Sequence, residues 1–359
     1  MSQVLSYVVL FVVAALLPLG CTPPGGGGGG GAPQALSIYN WSTYIDPQVL
    51  KDFEQKFNAK ITYDTFDSPD TLYAKLKAGN PGYDIVVPPD YLVERMGKEG
   101  LLEPLDQTKL PNMANLDPVF LDPPYDPGNK YSVPYQWGTQ GIGYNQEKTG
   151  GPIDSMAAMF DPKYKGKVAW LDEMRATMGA VLLYLGYSPN TEDAKEITAA
   201  KDFMIKHKDT IGAFAGDDGQ NLLIQGDMDL VYEYSGDIFQ AGTEDPNLKY
   251  VIPKEGAILW TDNLVIPKGA PHKATAEAFI NYVLEPKVGA QISNFIHYGS
   301  PNLAAREQGL ITKEDLENPG IYPPPETFAK LQFIQEVPPE VRKLYDQAWT
   351  AIKVAVGKG

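Results

Sequence analysis

Short runs of β-forming residues alternate with amphipathic segments of helical length along most of the chain. In the first part, predicted strands and helices follow one another at 36–40, 47–57, 60–66, 69–78, 83–87 and 92–98. A second set, beginning near Tyr144, predicts elements at 167–171, 173–185, 191–208 and 229–234, then a helical pattern at 274–295 that breaks at Glu285-Pro286. Such alternation predicts an α/β fold of βαβ units around a mixed, mostly parallel sheet.

The chain is long for a single hydrophobic core. It has 359 residues, and chains beyond about 250–300 residues usually divide into domains, so two domains are expected. The sequence has one cysteine, so the folded part cannot form an internal disulfide and must depend on core burial. The net charge of −15 argues against nucleic acid as a partner and is compatible with a cationic ligand.

The N-terminal segment predicts export and a lipid anchor. Residues 8–19 are mostly apolar, which suits a signal-peptide core and is short of the ~20 residues of a membrane-spanning helix. Leu19-Gly20-Cys21 resembles the end of a lipobox, whose cysteine sulfur carries diacylglycerol. Residues 1–20 are therefore a predicted signal peptide, and the Gly- and Pro-rich residues 21–35 a lipid-anchored flexible tether. The alternative is an ordinary signal peptide with an incidental cysteine.

Signatures of catalysis and of metal binding are scarce. The sequence lacks Gly-x-Ser-x-Gly, a phosphate loop and the glycine pattern of dinucleotide-binding folds. Its three histidines are far apart and lack the spacing of metal ligands: His207, His272 and His297. We therefore predict no catalytic residue, no metal site and no cofactor.

Aromatic residues and carboxylates stand together at the ends of several predicted strands. The stretch 39–44 leaves the first strand with three rings, and the stretch 234–237 leaves another strand through a predicted turn at Gly236. Trp260 and Asp262 share one face of an extended chain. Because open α/β sheets bind ligands at the carboxyl ends of their strands, these residues predict a site. Aromatic faces and carboxylates both attract alkylammonium groups.

Several segments match sequence motifs typical of one protein family: 39–45, 83–88, 141–145, 252–256 and 301–306. On these segments the chain resembles the spermidine/putrescine-binding proteins of polyamine ABC transporters, from Leu36 nearly to the C-terminus. Two further stretches, 235–240 and 317–324, are similar to the putrescine-specific branch.

The resemblance implies a two-lobed periplasmic-binding-protein fold (type II-like) that closes on a polyamine and presents it to the permease of an ABC importer. It implies lobe 1 at 36–142 and 264–308, lobe 2 at 143–263 and 309–359, and hinge strands between them. It also implies a monomer without enzymatic activity. The ligand-binding residues expected by position are Trp41, Ser42, Tyr44, Tyr91, Glu173, Tyr234, Asp237, Trp260, Asp262, Tyr298 and Gln335.

Three departures from the family pattern bear on the choice of ligand. Pro89 stands where the family has a serine, Thr43 where an acid is common, and Ala176 where a ligand-holding glutamate usually lies. Glu173 could replace that glutamate; otherwise one ammonium site is lost. Because an unpaired amine in a closed cleft is costly, the departures favour putrescine or a similar diamine over spermidine.

Two other functions are compatible with the sequence. Tyr232 and Tyr234 lie on one side of a predicted strand, and the pair resembles the tyrosines of ferric-ion-binding relatives. A carboxylate pair such as Glu173 and Asp262 would suit an exported hydrolase if the two groups lay ~5–9 Å apart. The placement of these side chains bears on each alternative.

Overall fold

The computed structural model describes residues 32–357. Their strands are β1 (Gln34–Trp41), β2 (Ala59–Phe66), β3 (Ile85–Val86), β4 (Ser132–Asn145), β5 (Val168–Leu171), β6 (Ile211–Ala215), β7 (Leu230–Tyr234), β8 (Leu248–Val251), β9 (Ala257–Val265) and β10 (Leu331–Phe333). Their helices are α1 (Pro47–Phe57), α2 (Pro69–Lys77), α3 (Asp90–Lys98), α4 (Gln146–Thr149), α5 (Met174–Tyr184), α6 (Ala194–Lys206), α7 (Gly219–Ile224), α8 (Ser235–Glu244), α9 (Lys273–Val283), α10 (Pro286–Ile296), α11 (Leu303–Glu307), α12 (Lys313–Glu317), α13 (Pro325–Phe328) and α14 (Pro339–Val356).

The predicted signal peptide, Cys21 and most of the predicted tether lie outside the described residues. Strand β1 begins at Gln34, two residues before the strand predicted at 36–40. Within 32–357, no helix combines the length and the apolar character needed to cross a membrane.

One sheet contains the strands in the order β2-β1-β3-β9-β4-β7-β5-β6, with β10 beside β9 and β8 beside β4. Its two flanks are parallel: β2, β1 and β3 on one side, and β7, β5 and β6 on the other. The two central strands, β9 and β4, run antiparallel to each other, and they run antiparallel to β3 and to β7 respectively. The predicted βαβ alternation thus describes the flanks, while the centre is antiparallel.

Strands β4 and β9 carry the chain between two hydrophobic cores. Strand β4 pairs with β9 from Ser132 to Gln140, and then with β7 and β8 as far as Asn145. Val133, near its start, belongs to one core, and Ile142, near its end, belongs to the other. We call the body around the first core, which includes β1, β3, α9 and α10, lobe 1, and the body around the second core, which includes β5, α5 and α14, lobe 2. The centre of the sheet is the hinge.

Several helices of lobe 1 begin where local sequence signals predict them. Asp46 caps α1 by accepting a hydrogen bond from the backbone N–H of Gln48 at 2.8 Å. Ser68 caps α2 in the same way through Thr71 at 3.2 Å, and a proline follows each cap at the first helical position. The pattern at 274–295 divides into α9 and α10 at the predicted break.

The turn predicted at Gly236 is wrong, because this residue lies in the first turn of α8. Glycine is required there for space: a Cβ on Gly236 would lie 2.4 Å from the ring of Tyr298. The close approach of the ring sets the position of Tyr298 against α8. Glycine at position 236 therefore reflects close packing against the Tyr298 ring and not a turn.

The long hinge strand β4 has no counterpart among the predicted elements. All but its last residue are buried, so it lacks the polar and apolar alternation that identifies a half-buried strand. It also contains glycines, which usually weaken strand predictions. At Gly138 the small residue makes room for a neighbour, because a Cβ would lie 2.7 Å from the Trp260 indole.

Candidate functional site

A cavity lies between the lobes on the hinge strands. Its wall is built where elements begin and end: Trp41 ends β1, Tyr234 ends β7, and Glu173 lies between β5 and α5. The lining residues are Trp41, Ser42, Tyr44, Pro69, Pro89, Asp90, Tyr91, Gln140, Glu173, Asp217, Tyr234, Asp237, Ile258, Leu259, Trp260, Asp262, Tyr298 and Ile334.

Six aromatic side chains form much of this wall. The Trp41 ring lies 6.0 Å from that of Tyr234, which lies 5.8 Å from Trp260, and Trp260 lies 5.2 Å from Tyr298. The Tyr44 ring lies 5.3 Å from the Tyr298 ring. Ring faces present negative charge density and apolar area together, so this wall suits an alkyl chain that carries cationic groups.

Five carboxylates line the same cavity, and among residues 32–357 no lysine, arginine or histidine lines it. Burial raises the pKa of each carboxyl group: that of Asp90, Glu173 and Asp237 to about 7, and that of Asp262 well above its ordinary value. Burial also raises the pKa of Asp217. A buried carboxylate is stable only when it is paired or hydrogen-bonded, so this cavity favours a cation.

The carboxylates form two groups. After burial, the charges of Asp90 and Glu173 raise the pKa of Asp262, and we call these three the Asp262 group. In the same way the charge of Asp217 raises the pKa of Asp237, and we call these two the Asp237 group. A ligand with two cationic ends would meet one of these groups with each end.

Hydroxyl groups already donate to several of these carboxylates. Glu173 accepts hydrogen bonds from Tyr91 at 3.1 Å and from Tyr234 at 2.8 Å. Asp237 accepts one from Tyr298 at 2.7 Å. The side-chain oxygen of Gln140 is buried and has no hydrogen-bond partner within 32–357. Gln140 can therefore accept from an N–H donor of a ligand.

Ten of the eleven residues predicted to bind ligand line this cavity, and Gln335 does not. Its side chain is exposed in a neighbouring groove, and its backbone N–H donates to Asn190 at 2.8 Å. Ile334, the residue before it, is buried and lines the cavity instead. The binding role of Gln335 stays a prediction, and its side chain has no place in this cavity.

Of the three departures from the family pattern, one lines the cavity and two do not. Ala176 is buried in the core of lobe 2, whereas Glu173 lines the cavity one turn earlier in the chain. Pro89 lines the cavity without a hydroxyl to offer. Thr43 donates a hydrogen bond to Asp237 at 3.0 Å.

Two lining carboxylates, Asp90 and Asp217, were not among the predicted site residues. Asp90 begins α3 just after β3, so the same signal, an acid beside a ring at a strand end, could have identified it together with Tyr91. Asp217 follows β6, a strand that was not predicted, so its position at a strand end could not be recognised.

Tyr232 and Tyr234, the tyrosine pair of the ferric-ion alternative, lie in different environments. Tyr232 packs in the core of lobe 2, with its ring 5.4 Å from that of Trp170, whereas Tyr234 lines the cavity. Within the part of the chain that the structure describes, no three His, Cys, Asp or Glu side chains are grouped to hold a metal ion. Tyr232 thus takes a core role, and the ferric-ion alternative loses the pair on which it depends.

The sequence matches known binding proteins over most of its length. The family model of the bacterial extracellular solute-binding proteins matches residues 48–319. The spermidine/putrescine-binding periplasmic protein of Salmonella typhimurium is 38% identical over 323 residues, which cover 89% of this chain and 91% of that protein. The putrescine-binding periplasmic protein PotF of Escherichia coli is 38% identical over 340 residues, with 89% and 91% covered.

A solved structure extends the similarity to the fold. The spermidine/putrescine ABC transporter substrate-binding protein PotD of Streptococcus pneumoniae superposes with a TM-score of 0.77 at 35% identity, covering 90% of this chain and 99% of that one. The predicted α/β, two-lobed periplasmic-binding-protein fold is confirmed by this likeness. The relatives are binding proteins, so the hydrolase and ferric-ion alternatives gain no support.

Proposed function

The chain belongs to the family of bacterial extracellular solute-binding proteins, and on that premise we propose that it captures a polyamine in the cavity between its lobes and delivers it to an ABC importer. It is a binding protein and not an enzyme. The observation that carries the proposal is a cavity that residues 32–357 line with five carboxylates and six aromatic rings and with no basic side chain. Four of the carboxylates are buried, and Glu173 is half-buried.

Two ammonium ends match the two carboxylate groups. Asp262 receives one end, supported by Asp90 and Glu173, and Asp237 receives the other. Charge-assisted hydrogen bonds of this kind contribute about 1.5–3 kcal/mol each. A micromolar dissociation constant needs about −8 kcal/mol, which two such ends and the buried methylenes can supply after ordering costs.

We propose a preference for a diamine over a longer triamine. Trp41, Tyr234 and Trp260 line the same cavity as the two carboxylate groups and would cover the methylenes of a short chain. Residues 32–357 contribute no third group of carboxylates to this lining that could hold a further ammonium. We therefore place putrescine, or a diamine of similar length, ahead of spermidine.

Titration calorimetry tests the proposal directly. The purified protein is unfolded, refolded to remove any ligand it carries, and titrated with putrescine, cadaverine, spermidine and spermine. We expect micromolar or tighter binding of a diamine, and weaker binding of the two longer amines. An absence of heat with all four amines, from protein shown by circular dichroism to be folded, would contradict the proposal.

We extend the proposal to the placement of the protein in the envelope. Relatives are periplasmic proteins, which fits an exported protein here. The lipid anchor at Cys21, the monomeric state and the lobe boundaries stay predictions. Ile311, predicted for lobe 2, packs against Ala290 and Ala305 of the segments predicted for lobe 1, which favours a second boundary after residue 311.

Replacing Cys21 with serine is expected to release the protein from the membrane. The change removes the only thiol in the chain, and with it the sulfur that would carry the diacylglycerol. Wild-type protein should sediment with membranes and take up labelled palmitate, whereas Cys21→Ser should do neither. A Thr22→Ser variant, changed one residue later, is the matched control and should behave like wild type. If the wild-type protein is instead soluble and its mature N-terminus is a residue other than Cys21, the result would favour an ordinary signal peptide.

A further inference from the structure

Hydroxyl groups of lobe 1 donate hydrogen bonds across the cleft to carboxylates of lobe 2. Gln240 of lobe 2 donates in the opposite direction, to the backbone oxygen of Ile296 in lobe 1, at 3.2 Å. Ser42 Oγ donates to Asp217 at 2.9 Å, and Thr43 Oγ1 donates to Asp237 at 3.0 Å. The Tyr91 and Tyr298 hydroxyls donate to Glu173 and Asp237 at 3.1 and 2.7 Å. The carboxylates of lobe 2 thus accept hydrogen bonds from lobe 1 in addition to any contact with a cation in the cavity.

Thr43 holds its place in this set with an unfavourable backbone conformation. Its φ is +48°, in the left-handed region that favours glycine. The other non-glycine residues at positive φ within 32–357 are Asn58, Asp122, Asn129 and His297. Asn, Asp and His tolerate this region, whereas a β-branched residue there is an outlier. A strained conformation persists only where surrounding contacts enforce it.

The contacts that enforce this turn come from the opposite lobe. Ser42 also donates its backbone N–H to Asp217 at 3.1 Å, so two consecutive residues are tied to two carboxylates of lobe 2. Thr43 does not line the cavity, so its hydroxyl acts on lobe closure and not on the ligand. Opening the cleft breaks these hydrogen bonds and at the same time frees the turn to relax.

We propose that the Ser42–Thr43 turn is a strained latch that holds the lobes closed and sets the rate at which the ligand leaves. The inference rests on the proposed function in one respect, namely that the ligand occupies the cavity between the lobes. Because the donors are hydroxyls of the protein itself, the latch also lets the lobes close part of the time without ligand. Thr43 is therefore a positioning residue and does not contact the ligand.

Valine at position 43 keeps the shape and the β-branch of threonine but removes the hydroxyl. Hydrogen bonds to charged groups are strong, so we expect Thr43→Val to release putrescine about tenfold faster or more in stopped-flow fluorescence. Thr43→Ser, which keeps the hydroxyl, should stay within about twofold of wild type. The matched control is Thr108→Val, which removes a hydroxyl that donates to Asp106 within lobe 1 and should leave the release rate unchanged.

Small-angle X-ray scattering without ligand separates this inference from the proposed function. We expect a larger radius of gyration for unliganded Thr43→Val than for unliganded wild type and Thr108→Val. Equal scattering and equal release rates in Thr43→Val and wild type would refute the latch while leaving polyamine capture intact. If wild type binds no amine, the scattering comparison still tests the latch alone. Thr43→Gly, which tolerates positive φ, replaces Thr43→Val if the valine variant does not fold.

Discussion

Replacing Asp262 with asparagine is expected to lower the affinity for putrescine by at least about 100-fold. Asp262 lies on the hinge strand, is buried, and has two further carboxylates acting on it. Removing one partner of a buried ion pair costs about 3–5 kcal/mol, because the remaining charge is left without compensation. Each 1.4 kcal/mol corresponds to about tenfold in the dissociation constant. Titration calorimetry of the variant with putrescine measures the effect.

A second buried aspartate separates loss of binding from loss of folding. Asp126 is buried in lobe 1 away from the cavity and accepts hydrogen bonds from the backbone of Tyr131 and Ser132 at 2.9 and 2.8 Å. Asp126→Asn should lower the melting temperature and leave putrescine affinity unchanged. Asp262→Asn should do the reverse, because it removes a buried carboxylate that has no basic side chain beside it. Unchanged affinity in folded Asp262→Asn would show that the site is misplaced.

The flanks of the fold could be predicted from sequence because their signals are local. The cap and proline at Ser68-Pro69, the break at Glu285-Pro286 and the buried runs of the parallel strands each depend on a few neighbouring residues. The hinge strand β4 could not be predicted in this way. It is buried on both faces through contacts with β9, β7 and β8, which are distant in the chain, so no period marks it.

The site could be predicted to the extent that its residues follow predicted strands. Trp41, Tyr234 and Asp237 follow such strands and were identified, whereas Asp217 follows an unpredicted one and was missed. Gln335 was expected at the ligand and lines a neighbouring groove, since resemblance gives a position in the chain but not the side to which a side chain points. The combination of aromatic rings and carboxylates could therefore be predicted, whereas the full set of carboxylates could not.

Putrescine affinity is expected to rise about tenfold or more between pH 6 and pH 8. Without ligand, burial raises the pKa of Asp90, Glu173 and Asp237 to about 7, so these groups are largely protonated at pH 6. Burial raises the pKa of Asp262 further. An alkylammonium group stays charged up to a pH of about 10, so only the carboxyl groups titrate in this range. A bound dication lowers their pKa, and protons must leave when it binds.

Calorimetry can count the protons directly. At pH 7 the binding enthalpy should vary with the ionisation enthalpy of the buffer, with a slope that gives net proton release. Agmatine and 1-butanol serve as charged and uncharged probes of similar chain length, and only the charged probe should show the dependence. Affinity that is flat from pH 6 to pH 8, with no proton release, would mean that the carboxylates are already ionised in the unliganded protein.

The same carboxyl groups should make the unliganded protein less stable as the pH rises. A group whose pKa is raised on folding stabilises the folded state fully below its unfolded value, near 4, and this contribution is lost as the pH rises through the folded value, near 7. His297, whose pKa is raised by its hydrogen bond to Asp315, acts in the same direction. We therefore expect the melting temperature without ligand to fall from pH 5 to pH 8. Saturating putrescine should raise it more at pH 8 than at pH 6, whereas parallel curves with and without ligand would contradict the proposed coupling between cation binding and carboxylate ionisation.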